Sequence, residues 1–97
     1  MVTRIVKMTF EPSKCDDFLA IFEKYHQQIR NAEGCKALKL LRQTPEGNVF
    51  FTYSHWEDSS FLEIYRQSDT FGEVWPQTKA LFSAPAEAWT CKEEYNL

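Results

Sequence analysis

Ninety-seven residues, 43% hydrophobic and 26% charged, can bury one core but not two, so residues 1–97 are expected to form a single compact domain. A formal net charge of −3 with scattered Lys and Arg excludes the basic footprint of a nucleic-acid or anionic-membrane binder. No stretch approaches the roughly 20 apolar residues of a membrane span, and no basic, then apolar, leader opens the chain, so a cytoplasmic protein is expected. The aromatic share of 15% is high, which points to a second packing surface or an apolar cavity.

Val2 to Phe10 alternates Arg4, Val6, Met8 and Phe10 against Thr3, Ile5, Lys7 and Thr9, a strand with one apolar face. Pro12 and Ser13 then open a helix to about Asn31, with Ser13 as its cap and Asp16 and Asp17 at the positive end of its dipole. Its stripe of Cys15, Phe18, Leu19, Phe22, Tyr25 and Ile29 recurs at three- and four-residue spacing. Gly34 is the stop signal.

Cys35 to Gln43 reads as a second strand, its Lys36, Lys39 and Arg42 suiting a sheet edge. The turn Pro45-Glu46-Gly47-Asn48 joins it in a hairpin to Val49–Trp56, the strongest strand signal of the chain. That strand is apolar on both faces, with Val49, Phe51, Tyr53 and His55 on one side and Phe50, Thr52, Ser54 and Trp56 on the other. Glu57 to Ser60 caps a short helix with Phe61, Leu62, Ile64 and Tyr65 on its apolar side. A second helical piece from about Thr70 to Phe82 carries Phe71, Val74, Trp75, Thr78, Leu81 and Phe82 on one face, with Pro76 inside it and a kink expected near Gly72. Ala88 to Tyr95 is the last strand, with Trp89, Cys91 and Tyr95 on one face.

Strand, helix, strand, strand, helix, strand is the split βαβ order of an α+β ferredoxin-like fold, with a four-stranded antiparallel sheet in the order 4-1-3-2. Helices cover one sheet face only. Ile5, Val49, Phe51 and Tyr53 would leave the other too apolar for a monomer, so a homodimer through the sheet face is expected. Cys15, Cys35 and Cys91 are odd in number and lack a CxxC spacing; they read as free thiols and small buried hydrophobes, with Cys35 and Cys91 on opposite sheet edges.

Arg4 to Phe10, Asn31 to Cys35, Trp56-Glu57-Asp58 and Tyr65 to Phe71 together resemble the antibiotic biosynthesis monooxygenase domain, a dimeric α/β barrel family, over nearly the whole chain. The resemblance implies a cofactor-independent monooxygenase acting on a small aromatic or quinol-like substrate, the substrate supplying the electrons. It also implies a cavity between sheet and helices with Trp56 at its mouth. Tyr65 stands just before the Ser-Asp-x-Phe motif, where relatives often carry His or Trp, and a phenol there could orient a hydroxylated or quinoid ring. Haem-degrading members carry an asparagine and an axial histidine where this chain has Val6 and Trp75, which argues against haem degradation. There is also a distant similarity to rhamnose mutarotases, whose helical histidine falls nearer Phe22 than His26. The alternative, motivated by Val6 and Trp75 at catalytic positions, is a non-catalytic, dimeric small-molecule binder or stress-related accessory protein of the same fold.

The candidate catalytic residues are therefore Trp56, Tyr65 and His26, and the candidate substrate-binding residues Trp75, Phe71, Phe22 and Arg4. Trp56, Tyr65 and Trp75 either line an apolar pocket with their polar tips inward or form plain core. His26 is either a general base at a cavity edge or a solvent-facing helix histidine, and His55 belongs to the outer sheet face. Arg4 lies either near a strand end in water or against an anionic substrate group. No phosphate loop, dinucleotide fingerprint or metal-ligand spacing is present, so neither cofactor nor metal is expected.

Overall fold

The computed structural model describes residues 1–97. In it, β1 (Val2–Thr9), α1 (Cys15–Arg30), β2 (Cys35–Arg42), β3 (Val49–Trp56), α2 (Ser59–Arg66), α3 (Asp69–Lys79) and β4 (Glu87–Lys92) follow the expected order. The strands form one antiparallel sheet ordered β2-β3-β1-β4, the ferredoxin-like α+β arrangement, with the alternating strands β1 and β3 in the centre. Cys35 and Cys91 lie on its opposite edges, and all three cysteines are free.

Register decides which side chains meet. Val2, Arg4, Val6 and Met8 stand opposite Trp56, Ser54, Thr52 and Phe50, so these eight share the face that the helices cover. At one end of that face Phe10 stacks on Phe18 with centroids 4.3 Å apart and meets Phe50 edge-on at 5.6 Å, closing a buried core with Met8 and Cys15. At the other end a smaller cluster joins Cys35, Trp56 and Leu62. Gly34 permits the turn before β2: its φ is +81°, and a Cβ there would collide with the Phe61 ring. Its carbonyl accepts the Glu57 N–H at 2.8 Å, which ties the α1–β2 turn to the end of β3.

Several local expectations are corrected. Ser13 does not cap α1: a 3-10 turn over Pro12–Lys14 leads into the helix, and no side chain caps its first turn, although Asp16 and Asp17 are there. In the hairpin turn Glu46 takes the left-handed conformation, φ 65°, a detail the turn signal did not specify. Ile64 is 61% exposed and does not belong to the apolar side of α2. The chain stays helical through Pro76 but α3 ends at Lys79, because Phe82 instead bridges to Phe10 and extends the sheet by one pair. β4 stops at Lys92, which leaves Tyr95 outside the strand, and Cys91 is exposed on that edge. No helix is long and apolar enough to cross a membrane.

Candidate active site

Between the two inner clusters the helices do not close on the sheet, and a cavity of about 350 Å³ remains, bounded by β1 and β3 beneath and α1, α2 and α3 around it. One wall is a run of aromatic rings. Trp56 stacks on Tyr65 at 5.3 Å, Tyr65 meets Phe71 edge-on at 5.5 Å, and Phe71 stacks on Trp75 at 5.8 Å. Local sequence builds this wall. Phe71 and Trp75, four residues apart on α3, share a face. The Ser68 hydroxyl accepts the Phe71 N–H at 3.2 Å and donates to the Tyr65 carbonyl at 2.6 Å, fastening the start of α3 to the last turn of α2. Phe22 of α1 and Val6 of β1 add further apolar lining.

The polar groups are few and unequal. The indole N–H of Trp56, which is 1% exposed, donates to the Ser54 hydroxyl at 3.0 Å, so its polar tip is occupied within the protein and its ring is what it offers the cavity. Burial, with the Cys35 thiol adding to it, pushes the Tyr65 hydroxyl up to about 12. The phenol is therefore a proton donor at neutral pH and not a base. Arg4 donates from Nη1 to the Thr90 hydroxyl at 2.9 Å; burial and then the nearby Arg66 hold its pKa below the ordinary value, while Glu63 opposes them. Glu63 is itself held by Arg66 at 3.2 Å. No Asp, Glu, His or Lys lines the cavity.

Residues 1–75 match the family described as antibiotic biosynthesis monooxygenase. The chain belongs to that family. An uncharacterized protein of Synechocystis sp. is 25% identical over 77 residues, 79% of this chain; the chain spans about half, 52%, of that relative's length. Among solved structures, a putative antibiotic biosynthesis monooxygenase of Nitrosomonas europaea superposes with a TM-score of 0.90 at 14% identity, covering 98% of this chain and all of that one, 100%. A conserved protein of Methanosarcina mazei gives 0.89 at 19% identity over 97% and 94% of the two chains. A variant of SnoaB, a cofactor-independent oxygenase of Streptomyces nogalater, gives 0.83 at 18% identity over 99% and 95%. At these identities the superpositions establish the common fold.

Within this antibiotic biosynthesis monooxygenase fold six of the seven residues singled out by sequence, Trp56, Tyr65, Trp75, Phe71, Phe22 and Arg4, come together around the cavity. His26 does not. Its ring lies against Phe22 at 5.9 Å, but its Nε2 points to the solvent-side Glu23 carboxylate at 3.8 Å and it takes no part in the lining. The reading of His26 as a cavity-edge base is thus replaced by a half-buried helix histidine. His55 lies on the opposite sheet face, its Nδ1 3.1 Å from the Thr3 hydroxyl, as alternation requires. Two contributors were missed. Ser54 was visible only as a small polar residue in phase with Trp56, and Arg66 as a cation in the last turn of α2, where the helix dipole accounts for it equally well.

Proposed function

We propose that the chain is a cofactor-independent monooxygenase that oxidises a small aromatic or quinol-like substrate in the cavity beside Trp56. The observation that carries this reading is the continuous Trp56–Tyr65–Phe71–Trp75 wall around a hollow large enough for fused rings, in a chain of this family. For an anthrone-type substrate the balance is a ring CH₂ plus O₂ giving C=O plus H₂O, with all four electrons drawn from the substrate. Phe22, Phe71 and Trp75 hold the ring, Trp56 closes the floor, and the protonated Tyr65 phenol donates to the oxygen developing on the substrate. His26 has no role in this scheme.

The protein would act in the cytoplasm as a homodimer joined through the outer sheet face. Ile5, Tyr53 and Trp89 share one cross-strand row there, and Trp89 is 47% exposed, a contiguous apolar patch that suits burial against a second copy. A second reading, a non-catalytic dimeric binder or accessory protein, is favoured by one observation, the lack of any carboxylate, imidazole or amine in the cavity lining.

Oxygen uptake with 1,8-dihydroxyanthrone separates the two. The oxygenase reading expects uptake proportional to protein, one O₂ per quinone formed, a loss of roughly a hundredfold or more in Tyr65→Phe, the usual scale for a positioned proton donor, and a smaller loss in Trp56→Phe, whose indole N–H is held by Ser54 and whose ring only positions the substrate. Tryptophan quenching by the same compound with no protein-dependent uptake would establish the binder instead.

A further inference from the structure

Arg4 is the feature of the cavity that neither the fold nor the aromatic wall explains. It is the third residue of the central strand β1, half-buried, facing a space that is otherwise mostly apolar. Partial burial strips some water from that cation, a cost that a negative group at the same end of the cavity would offset. The chain supplies only a neutral partner, the Thr90 hydroxyl at 2.9 Å, and Arg4 forms no ion pair of its own. A second guanidinium makes matters worse. Arg66 lines the same cavity and repels Arg4, and Glu63, the carboxylate that opposes this, is paired with Arg66. Arg66 has reasons of its own to be where it is, the end of α2 and the contact with Glu63. Arg4 has none. The concentration of positive charge is also against the trend of the whole chain, whose net charge is −3.

Resting on the reading of this cavity as the ligand site, we infer that its Arg4–Arg66 end is a subsite for an anionic oxygen carried on a flat unsaturated ring. The ring lies along the Trp56–Tyr65–Phe71–Trp75 wall, and the oxygen, a carboxylate or an ionised phenol or enol, is met by the guanidinium N–H groups that Thr90 and Glu63 leave free. A substrate that must ionise finds no proton acceptor in the lining. Its proton therefore goes to solvent, and the two cations hold the resulting anion by making the bound hydroxyl more acidic than the free one. For the oxidation proposed above this has a direct use, because the electron-rich anion, rather than the neutral phenol, is the form that reduces O₂. It also reconciles a cavity without a base with a reaction that begins by losing a proton.

The test is equilibrium binding followed by tryptophan quenching, which requires no turnover. Naphthalene-2-carboxylate is compared with the near-isosteric neutral naphthalene-2-carboxamide, and 1,8-dihydroxyanthrone is followed by the visible absorption of its anion. The expected results are a preference for the carboxylate of roughly tenfold or more, or an ionisation of the bound anthrone shifted down by about one unit or more, either of which weakens as salt rises. Which arm responds identifies the source of the anionic oxygen. Arg4→Gln should abolish the preference while leaving carboxamide affinity within about twofold, and Arg4→Lys should restore part of it; Arg66→Gln should reduce it less. Equal binding of the two naphthalenes with an unshifted anthrone, binding of neither, or a preference that survives Arg4→Gln in a variant with native near-UV dichroism would overturn the inference. Oxygen uptake without an anion preference overturns this inference alone, whereas an anion preference without oxygen uptake overturns the oxygenase reading alone.

Discussion

The two faces of β3 are built from similar residues and meet opposite fates. On the inner face Phe50 and Trp56 are each 1% exposed, sealed by the helices, while on the outer face Val49, Phe51, Tyr53 and His55 stay half-buried with no layer above them. Hydrophobicity of the strand is the same argument on both sides, so what separates them is topology: both crossovers pass over one face. The inner face divides again. Phe50 is packed against rings on two sides, whereas Trp56 and Tyr65 border a hollow. Aromatic content therefore serves three different ends within one small sheet.

The contrast between packed and hollow predicts the largest effect. Phe50→Ala removes a ring wedged against Phe10 at 5.6 Å and Phe18 at 5.3 Å, and should cost about 3–5 kcal/mol in urea unfolding. Trp75→Ala removes a larger but half-buried ring beside the cavity and should cost less than half as much, while binding of planar ligands collapses. Equal losses in stability would mean that the hollow is filled in solution and would erase the distinction.

Next in size is a pH effect at the same wall. Tyr65 is held near 12 in the folded protein against 10.0 for an ordinary tyrosine, chiefly by burial. Below pH 10 both folded and unfolded forms keep the proton and this group adds no slope. Between about pH 10 and 12 the unfolded chain releases it and the folded chain does not, so stability falls with rising pH, by on the order of 2–3 kcal/mol in total. Tyr65→Phe should lack that portion of the slope when chemical unfolding is followed across the window. A wild type and variant with parallel pH profiles would indicate a hydroxyl in contact with water.

Sequence alone carried the fold because β1 alternates, β3 is dense in β-branched and aromatic residues, and α1 keeps its stripe from Cys15 to Ile29. It failed at β4, an edge strand with every residue exposed, where no buried period marks the end and Tyr95 was counted in. It failed at Ser13 because a short polar residue after proline suits a 3-10 turn as well as a cap. In the site, residues placed by helical or strand phase came to line one cavity. His26 did not, since the residue one turn after Phe22 lies about 40° further round the helix, enough to turn its ring nitrogen toward Glu23. Ser54 and Arg66 gave only weak signals: a small polar residue in phase with Trp56 does not announce that it will accept the indole N–H, and Arg66 meets Arg4 only once the fold brings α2 over β1.

The smallest effect on the single chain is expected where the assembly should respond most. Phe51 lies on the outer face opposite Lys7 of β1 and Leu41 of β2, away from the cavity. For an isolated chain, Phe51→Glu is a substitution at a half-exposed sheet position and should shift stability by no more than about 1 kcal/mol. If two sheets pack face to face, the same change buries a carboxylate at the centre of an apolar interface, and dissociation follows. Sedimentation at micromolar concentration should then give a dimer for the wild type and a monomer for Phe51→Glu. The urea midpoint should rise with protein concentration for the wild type and stay fixed for the variant, because only a dimer couples folding to mass action. A wild type that sediments as a monomer, with a concentration-independent midpoint, would remove the homodimer and leave Ile5, Tyr53 and Trp89 as an exposed patch that nothing in the monomer accounts for.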